Sequence, residues 1–241
     1  MNGITLNCLL ILGLVCACST KHSADIDLSN QNHTPAQQQT MTLESFADVR
    51  RDPVSGTVIF AKADDLAVSL VDDPENQALS DDKAYADMAL RFLDTYRDDF
   101  RLKNPSTEFV AKRSTRDTLG YRHVQLQQVF EGLPVVDAEL SVQFDPYNNL
   151  NLIQGRYVPT PGVDPTSPRY SRSDAHSFAK NALSADFEFT EPELVIFPRS
   201  DGSSVLAYET TATRGLAQGW RVVIDANDGS ILLKVPTRYT N

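Results

Sequence analysis

Seven apolar residues, Tyr85, Met88, Ala89, Phe92, Leu93, Tyr96 and Phe100, recur at steps of three and four along the chain. That spacing places them on one stripe and predicts an α-helix with one buried face. Ser80 suits its N-cap, and Asp81 and Asp82 suit the positive end of its dipole. Asn104-Pro105 then stops it. Beyond this point the period changes to two. Glu108 to Thr115 alternates weakly. In Arg122 to Phe130, Val124, Leu126 and Phe130 face one way, and His123, Gln125 and Gln127 face the other. Gly120 marks the turn before this strand and Gly132 the turn after it. Leu140, Val142 and Phe144 alternate with polar residues, Asp145 to Asn149 reads as a hairpin turn, and Leu150 to Val158 as the returning strand.

Three prolines, Pro161, Pro165 and Pro168, mark a linker. A second helix follows, with Ser171 and Asp174 at capping-box spacing and Ala175, Phe178, Ala179, Ala182 and Leu183 on its apolar face. Strand runs come next at 194–197, 205–213, 220–224 and 231–235, with a strong hairpin signal at Asn227-Asp228-Gly229. One helix followed by an antiparallel sheet thus occurs twice, which predicts an α+β fold.

Composition narrows the function. The chain has 241 residues, 41% hydrophobic and 22% charged, which fits a folded globular protein. Acids outnumber bases 32 to 22, and the net charge of −10 argues against a nucleic-acid partner. Residues 62–99 hold eleven acids and four bases, a local balance of −7. Those acids lie mostly off the apolar stripe, as a solvated helix face or as a surface for a cation or basic partner.

The three cysteines, Cys8, Cys16 and Cys18, all precede residue 19. They flank or lie within the apolar run Cys8 to Ala17, about 15 Å long as a helix and too short to span a bilayer. This reads as the core of a signal peptide. Val15-Cys16-Ala17-Cys18 resembles a bacterial lipobox, although Met1 to Asn7 lacks the usual Lys or Arg. The resemblance implies a signal over 1–17 and lipid attachment at Cys18; the polar stretch that follows, with Gln37-Gln38-Gln39-Thr40 and no apolar periodicity, reads as a flexible tether over 18–42. Ser19, in place of Asp, favours the outer membrane, with the protein facing periplasm or cell surface. The membrane contact is then through the lipid anchor only.

The stretch His123-Val124-Gln125-Leu126-Gln127-Gln128-Val129-Phe130-Glu131-Gly132-Leu133-Pro134-Val135 resembles the fungalysin/thermolysin propeptide (FTP) domain. Gln125 stands where that family has Arg, and Val136 where it has an aromatic. Ala89 to Leu93 and Gln154 to Pro159 look like flanks of the same domain. Leu194 to Pro198, Leu206 to Glu209 and Gly219 to Gly229 resemble the PepSY-type domain that follows FTP in thermolysin-like precursors. The resemblance covers roughly Gly56 to Pro236. It implies two cystatin-like domains, each a helix packed on an antiparallel sheet: FTP-like over 43–159, a linker over 160–170, and PepSY-like over 171–241.

In such precursors this region inhibits a zinc metallopeptidase and assists its folding. Here no His-Glu-x-x-His occurs, and none of His22, His33, His123 and His176 has a helical i, i+4 partner for zinc. Asp225-Ala226-Asn227-Asp228-Gly229 lacks calcium-loop spacing and reads as a hairpin turn. The expectation is a non-enzyme without cofactor or metal, a propeptide without its catalytic domain. It would bind a thermolysin-like metallopeptidase in trans as inhibitor or folding helper. The alternative is an envelope binding or scaffolding module that keeps the fold without a peptidase. Candidate partner-binding residues are His123, Gln125, Gln127 and Trp220; Trp220 starts an alternating strand and reads more as core than as anchor.

Overall fold

The computed structural model of the protein describes residues 43, 46–63, 82–164, 167–183, 186–215 and 218–237. The signal, Cys18, the tether, Ser80 and Asp81 lie outside these residues.

Helix α1 (Asp82–Thr95) buries Tyr85, Ala86, Met88, Ala89, Phe92 and Leu93, the stripe its periodicity announces. The helix breaks at Tyr96 rather than running on to Phe100, and α2 (Arg97–Phe100) is a separate turn. The Thr95 hydroxyl donates to the Arg91 carbonyl at 2.9 Å, a side-chain bond that bends helices. The aromatic stripe survives the break. Phe92 lies 4.6 Å from Tyr96 and 6.2 Å from Phe100, centroid to centroid, and all three are buried. Such contacts add to the free energy of burial itself. A third short turn, α3 (Pro105–Glu108), begins on proline, whose missing N–H is no loss at a helix start.

The first half forms an antiparallel sheet: β1 (Asp48–Arg51), β2 (Val58–Lys62), β3 (Phe109–Arg116), β4 (Arg122–Phe130), β5 (Leu133–Phe144) and β6 (Leu150–Arg156), in spatial order β1-β2-β6-β5-β4-β3. α1 packs against β3 and β4 on one face. Between β4 and β5 lies a two-residue turn, Glu131-Gly132, with φ of 49° and 81°, the primed geometry that matches strand twist. β1 and β2 carry too few alternating positions to show in the sequence. β5 starts six residues earlier than its clean alternation, because its first half is bulged.

The second half holds α4 (Arg172–Ala182), β7 (Glu188–Phe189), β8 (Glu193–Pro198), β9 (Ser204–Arg214), β10 (Gln218–Asp225) and β11 (Ile231–Pro236). β8 to β11 pair in chain order, all antiparallel, and β7 pairs with β9. α4 opens with the capping box read from the sequence: Ser171 Oγ accepts from the Asp174 amide, and Asp174 accepts from the Ser171 amide at 2.9 Å. Its Ala175 and Ala179 are fully buried, and Phe178 packs beside Trp220, Val222 and Ile224.

The two halves meet through one strand. The start of β5 pairs in parallel with β8 at Val135 and Ile196, while its end pairs with β6. The sheet therefore runs across the proline-rich segment as one eleven-stranded, mixed unit. One core cluster likewise joins Phe92, Leu126 and Ile153 to Ile196, Leu206 and Ala226. The fold is α and β mixed, with a curled sheet and few helices. Among the described residues no helix is long and apolar enough to cross a membrane.

Candidate functional site

α1 covers one face of the first sheet; no described helix covers the other. Register assigns the residues of that open face. One row crosses six strands: Arg113, Gln125, Ser141, Gln154, Phe60 and Arg50, from β3 to β1. The row beside it runs Thr115, His123, Gln143, Leu152, Lys62 and Asp48. Side chains opposite one another in a sheet share a face, so these rows form one surface. At its centre Gln125, Ser141, Gln154, Glu139, Ile59 and Phe60 line a shallow hollow of about 410 Å³. Gly155 also lines it. Its φ is 148°, and a Cβ at this position would collide with the Glu139 carbonyl.

Of the residues singled out in the sequence, His123 and Gln125 lie on this face. The His123 Nε2 is 3.1 Å from Asp117 Oδ2, and this contact is the main reason the Asp117 carboxyl is held below its ordinary pKa. Gln127 does not join them, although alternation directs it outward. Its amide turns into the bulge of β5 and donates to the carbonyls of Val135 at 2.8 Å, Ala138 at 3.1 Å and Gln128 at 3.0 Å. Trp220 lies on the opposite face of the second sheet, half-buried against α4, with the Lys234 ammonium 5.8 Å from its ring. The structure thus brings together two of the four.

The bulge that occupies Gln127 also shapes a cleft. Between Pro134 and Glu139, β5 leaves its ladder with β4. Asp137 takes a left-handed conformation, φ 55°, which is uncommon for a residue other than glycine. Beside it opens a cleft of about 760 Å³, walled by Val54, Val136, Phe197 and Leu233 and rimmed by Asp52, Arg156 and Asp201. Ile59 borders both hollows, so the open face runs on into the cleft. Asp52 and Asp201 are spent on their own turns. Backbone donors from Ser55 and Val54 hold the Asp52 carboxyl below its usual range, and Ser203 does the same for Asp201. Asp137 pairs at 2.8 Å with Arg221 of β10, which also lies 2.7 Å from Glu209 of β9. Burial raises the Glu209 pKa against the opposing pull of Arg221.

A polar lattice fixes the end of β6, next to the cleft. Gln128, fully buried, exchanges two hydrogen bonds with the Val158 backbone. The Tyr157 hydroxyl donates to the Phe100 carbonyl at 2.8 Å and accepts from the Val58 amide at 3.1 Å, and burial pushes its pKa up. Glu108 accepts from the amides of Lys103 and Asn104 and from the Thr160 hydroxyl. Paired Gln127 and Gln128 thus do internal work at two strand irregularities, while Gln125 alone of the three presents its amide outward.

Residues 107–157 match the family model described as Fungalysin/Thermolysin Propeptide Motif. This segment is a propeptide motif. It spans β3 to β6, the strands that build the open face. Bacillolysin of Bacillus subtilis (strain 168) is 28% identical over 141 residues, covering 54% of this chain and 27% of the relative. Bacillolysin of Brevibacillus brevis is 24% identical over 163 residues, covering 61% of this chain and 31% of the relative. The chain spans only about a quarter to a third of these relatives, and the match falls in their propeptide region. Among solved structures, the Bacillus megaterium YpeB C-terminal domain is similar with a TM-score of 0.40 and 14% identity, covering 79% of this chain and 81% of that one. Arg113, Ser141, Gln154 and Arg156 of the open face escaped sequence reasoning, because only cross-strand register gathers them.

Proposed function

We propose that this protein binds a thermolysin-like metallopeptidase in trans, without catalytic activity of its own, as inhibitor or folding helper. The observation that carries the reading is the propeptide motif at 107–157 together with the matched propeptide region of bacillolysins. In this reading each half is a cystatin-like unit, FTP-like with α1 on β3 to β6 and PepSY-like with α4 on β8 to β11. Recognition is by surface complementarity, through the open face and the cleft that continues it. The chain is placed in the bacterial envelope by a lipid on Cys18.

The test of binding mixes the full chain with several thermolysin-like enzymes. Peptidase activity and recovery of activity after denaturation are followed at increasing chain concentration. Inhibition or improved recovery is expected for at least one enzyme, and absence of binding, inhibition and rescue across the set rejects the reading. For the anchor, Cys18→Ser moves the protein from the membrane to the soluble fraction; unchanged membrane attachment rejects it.

A further inference from the structure

Charge is segregated on this acidic chain. α1 and α2 carry five aspartates, Asp82, Asp87, Asp94, Asp98 and Asp99, against Lys83, Arg91 and Arg97. The open sheet face has the reverse balance. Its acids are already matched: Asp48 pairs with Arg50 at 2.7 Å, and Glu139 with Lys112 at 3.4 Å. Asp117 beside it contacts the ring of His123, which carries charge only when protonated, so this carboxylate offsets one positive charge of the face. Three cations are left over. Lys62 and Arg113 have no ion-pair partner among the described residues. Arg156 has none within 4.0 Å among the described residues either; it acts on Asp52 only at longer range. Between these cations Gln125, Ser141 and Gln154 line the hollow, with no side-chain hydrogen bond to the described residues. A face that keeps, among the described residues, an excess of positive charge on a protein of net charge −10 is complementary to an acidic surface.

We propose that the open face of the first sheet is the docking surface for an acidic protein partner. Lys62, Arg113 and Arg156 meet the partner's carboxylates, and Gln125, Ser141 and Gln154 hydrogen-bond to polar groups between them. Naming that partner as the metallopeptidase rests on the function proposed above; the docking surface itself does not. Arg156 also borders the cleft, so a partner seated on the face reaches the junction of the two halves.

The probe for the surface is poly-L-glutamate, with backbone hydrogen exchange of the full chain as readout. Protection is expected on β2, β4 and β6. It is lost in Lys62→Glu/Arg113→Glu/Arg156→Glu and weakened in the corresponding glutamine triple, which guards against misfolding of the reversal. Protection confined to other elements, or none, overturns the proposal. Loss of self-association in the variant, seen by sedimentation, assigns the face to a second copy and overturns it. So does displacement of poly-L-glutamate by phosphatidylglycerol vesicles that bind the native chain and not the variant. Against a thermolysin-like enzyme, the charge reversal weakens binding at least about tenfold and flattens its salt dependence. An enzyme that binds native chain and variant equally, with poly-L-glutamate protection absent as well, overturns the docking surface and leaves the peptidase reading standing. Poly-L-glutamate protection with no enzyme bound does the opposite.

Discussion

The Gln128 side chain pairs with the Val158 backbone in both directions, its Nε2 donating to the carbonyl at 2.8 Å and its Oε1 accepting from the amide at 3.0 Å. A side-chain amide here mimics a strand neighbour. It holds the chain beyond β6 where the ladder has ended, and so fixes one wall of the cleft. Gln128→Met keeps the volume and leaves both Val158 groups unpaired. The expected loss is about 1–3 kcal/mol. Exchange of the Val158 amide should rise with it, and protection equal to the native protein rejects the assignment.

Two glutamines two residues apart should behave oppositely. Gln127 serves three carbonyls in the β5 bulge, so Gln127→Leu is expected to cost about 1–3 kcal/mol by urea denaturation. Gln125 makes no such bonds on the open face, so Gln125→Ala should stay within about 0.5 kcal/mol. Equal costs for the two would mean that the bulge is not held by Gln127.

Phe92 is fully buried and touches the rings of Phe46, Tyr96 and Phe100. Phe92→Ala leaves a cavity under α1, with an expected loss of about 3–5 kcal/mol. An unfolding midpoint matching the native protein would show that α1 does not pack as described.

The α4 cap should respond to acid. Hydrogen bonds from the Ser171 hydroxyl and amide hold the Asp174 carboxyl below its ordinary pKa. Its stabilisation is therefore present above the unfolded value, about 3.9, and is lost as pH falls through the lower folded value. Asp174→Ala should melt earlier than the native protein at pH 7, and the gap should close as the solution is acidified below that range. A gap that stays constant down to pH 2 would separate the cap from the Asp174 charge.

The helix faces and most strands were legible in the sequence because they rest on local periodicity. The Phe92 stripe, the alternation of β4 and the Ser171–Asp174 cap need no distant partner to declare themselves. The motif from His123 to Val135 likewise pointed to a propeptide segment before any contact was known. Tyr96 shows the limit of that reading: its place in the stripe survives, yet the helix breaks there, where its backbone takes φ −107° and ψ 22°.

Tertiary structure decided the direction of each glutamine. Gln125 and Gln127 share a parity in sequence, but the bulge of β5 leaves carbonyls that only an inward amide satisfies. It also decided the open face, where Arg113, Ser141 and Gln154 are neighbours across strands and strangers along the chain. Sequence determined the charge of −10; pairing determined where, among the described residues, positive charge is in excess. The physical reason is the same in each case. Hydrophobic period is a property of one segment, whereas register, bulges and ion pairs belong to two segments at once.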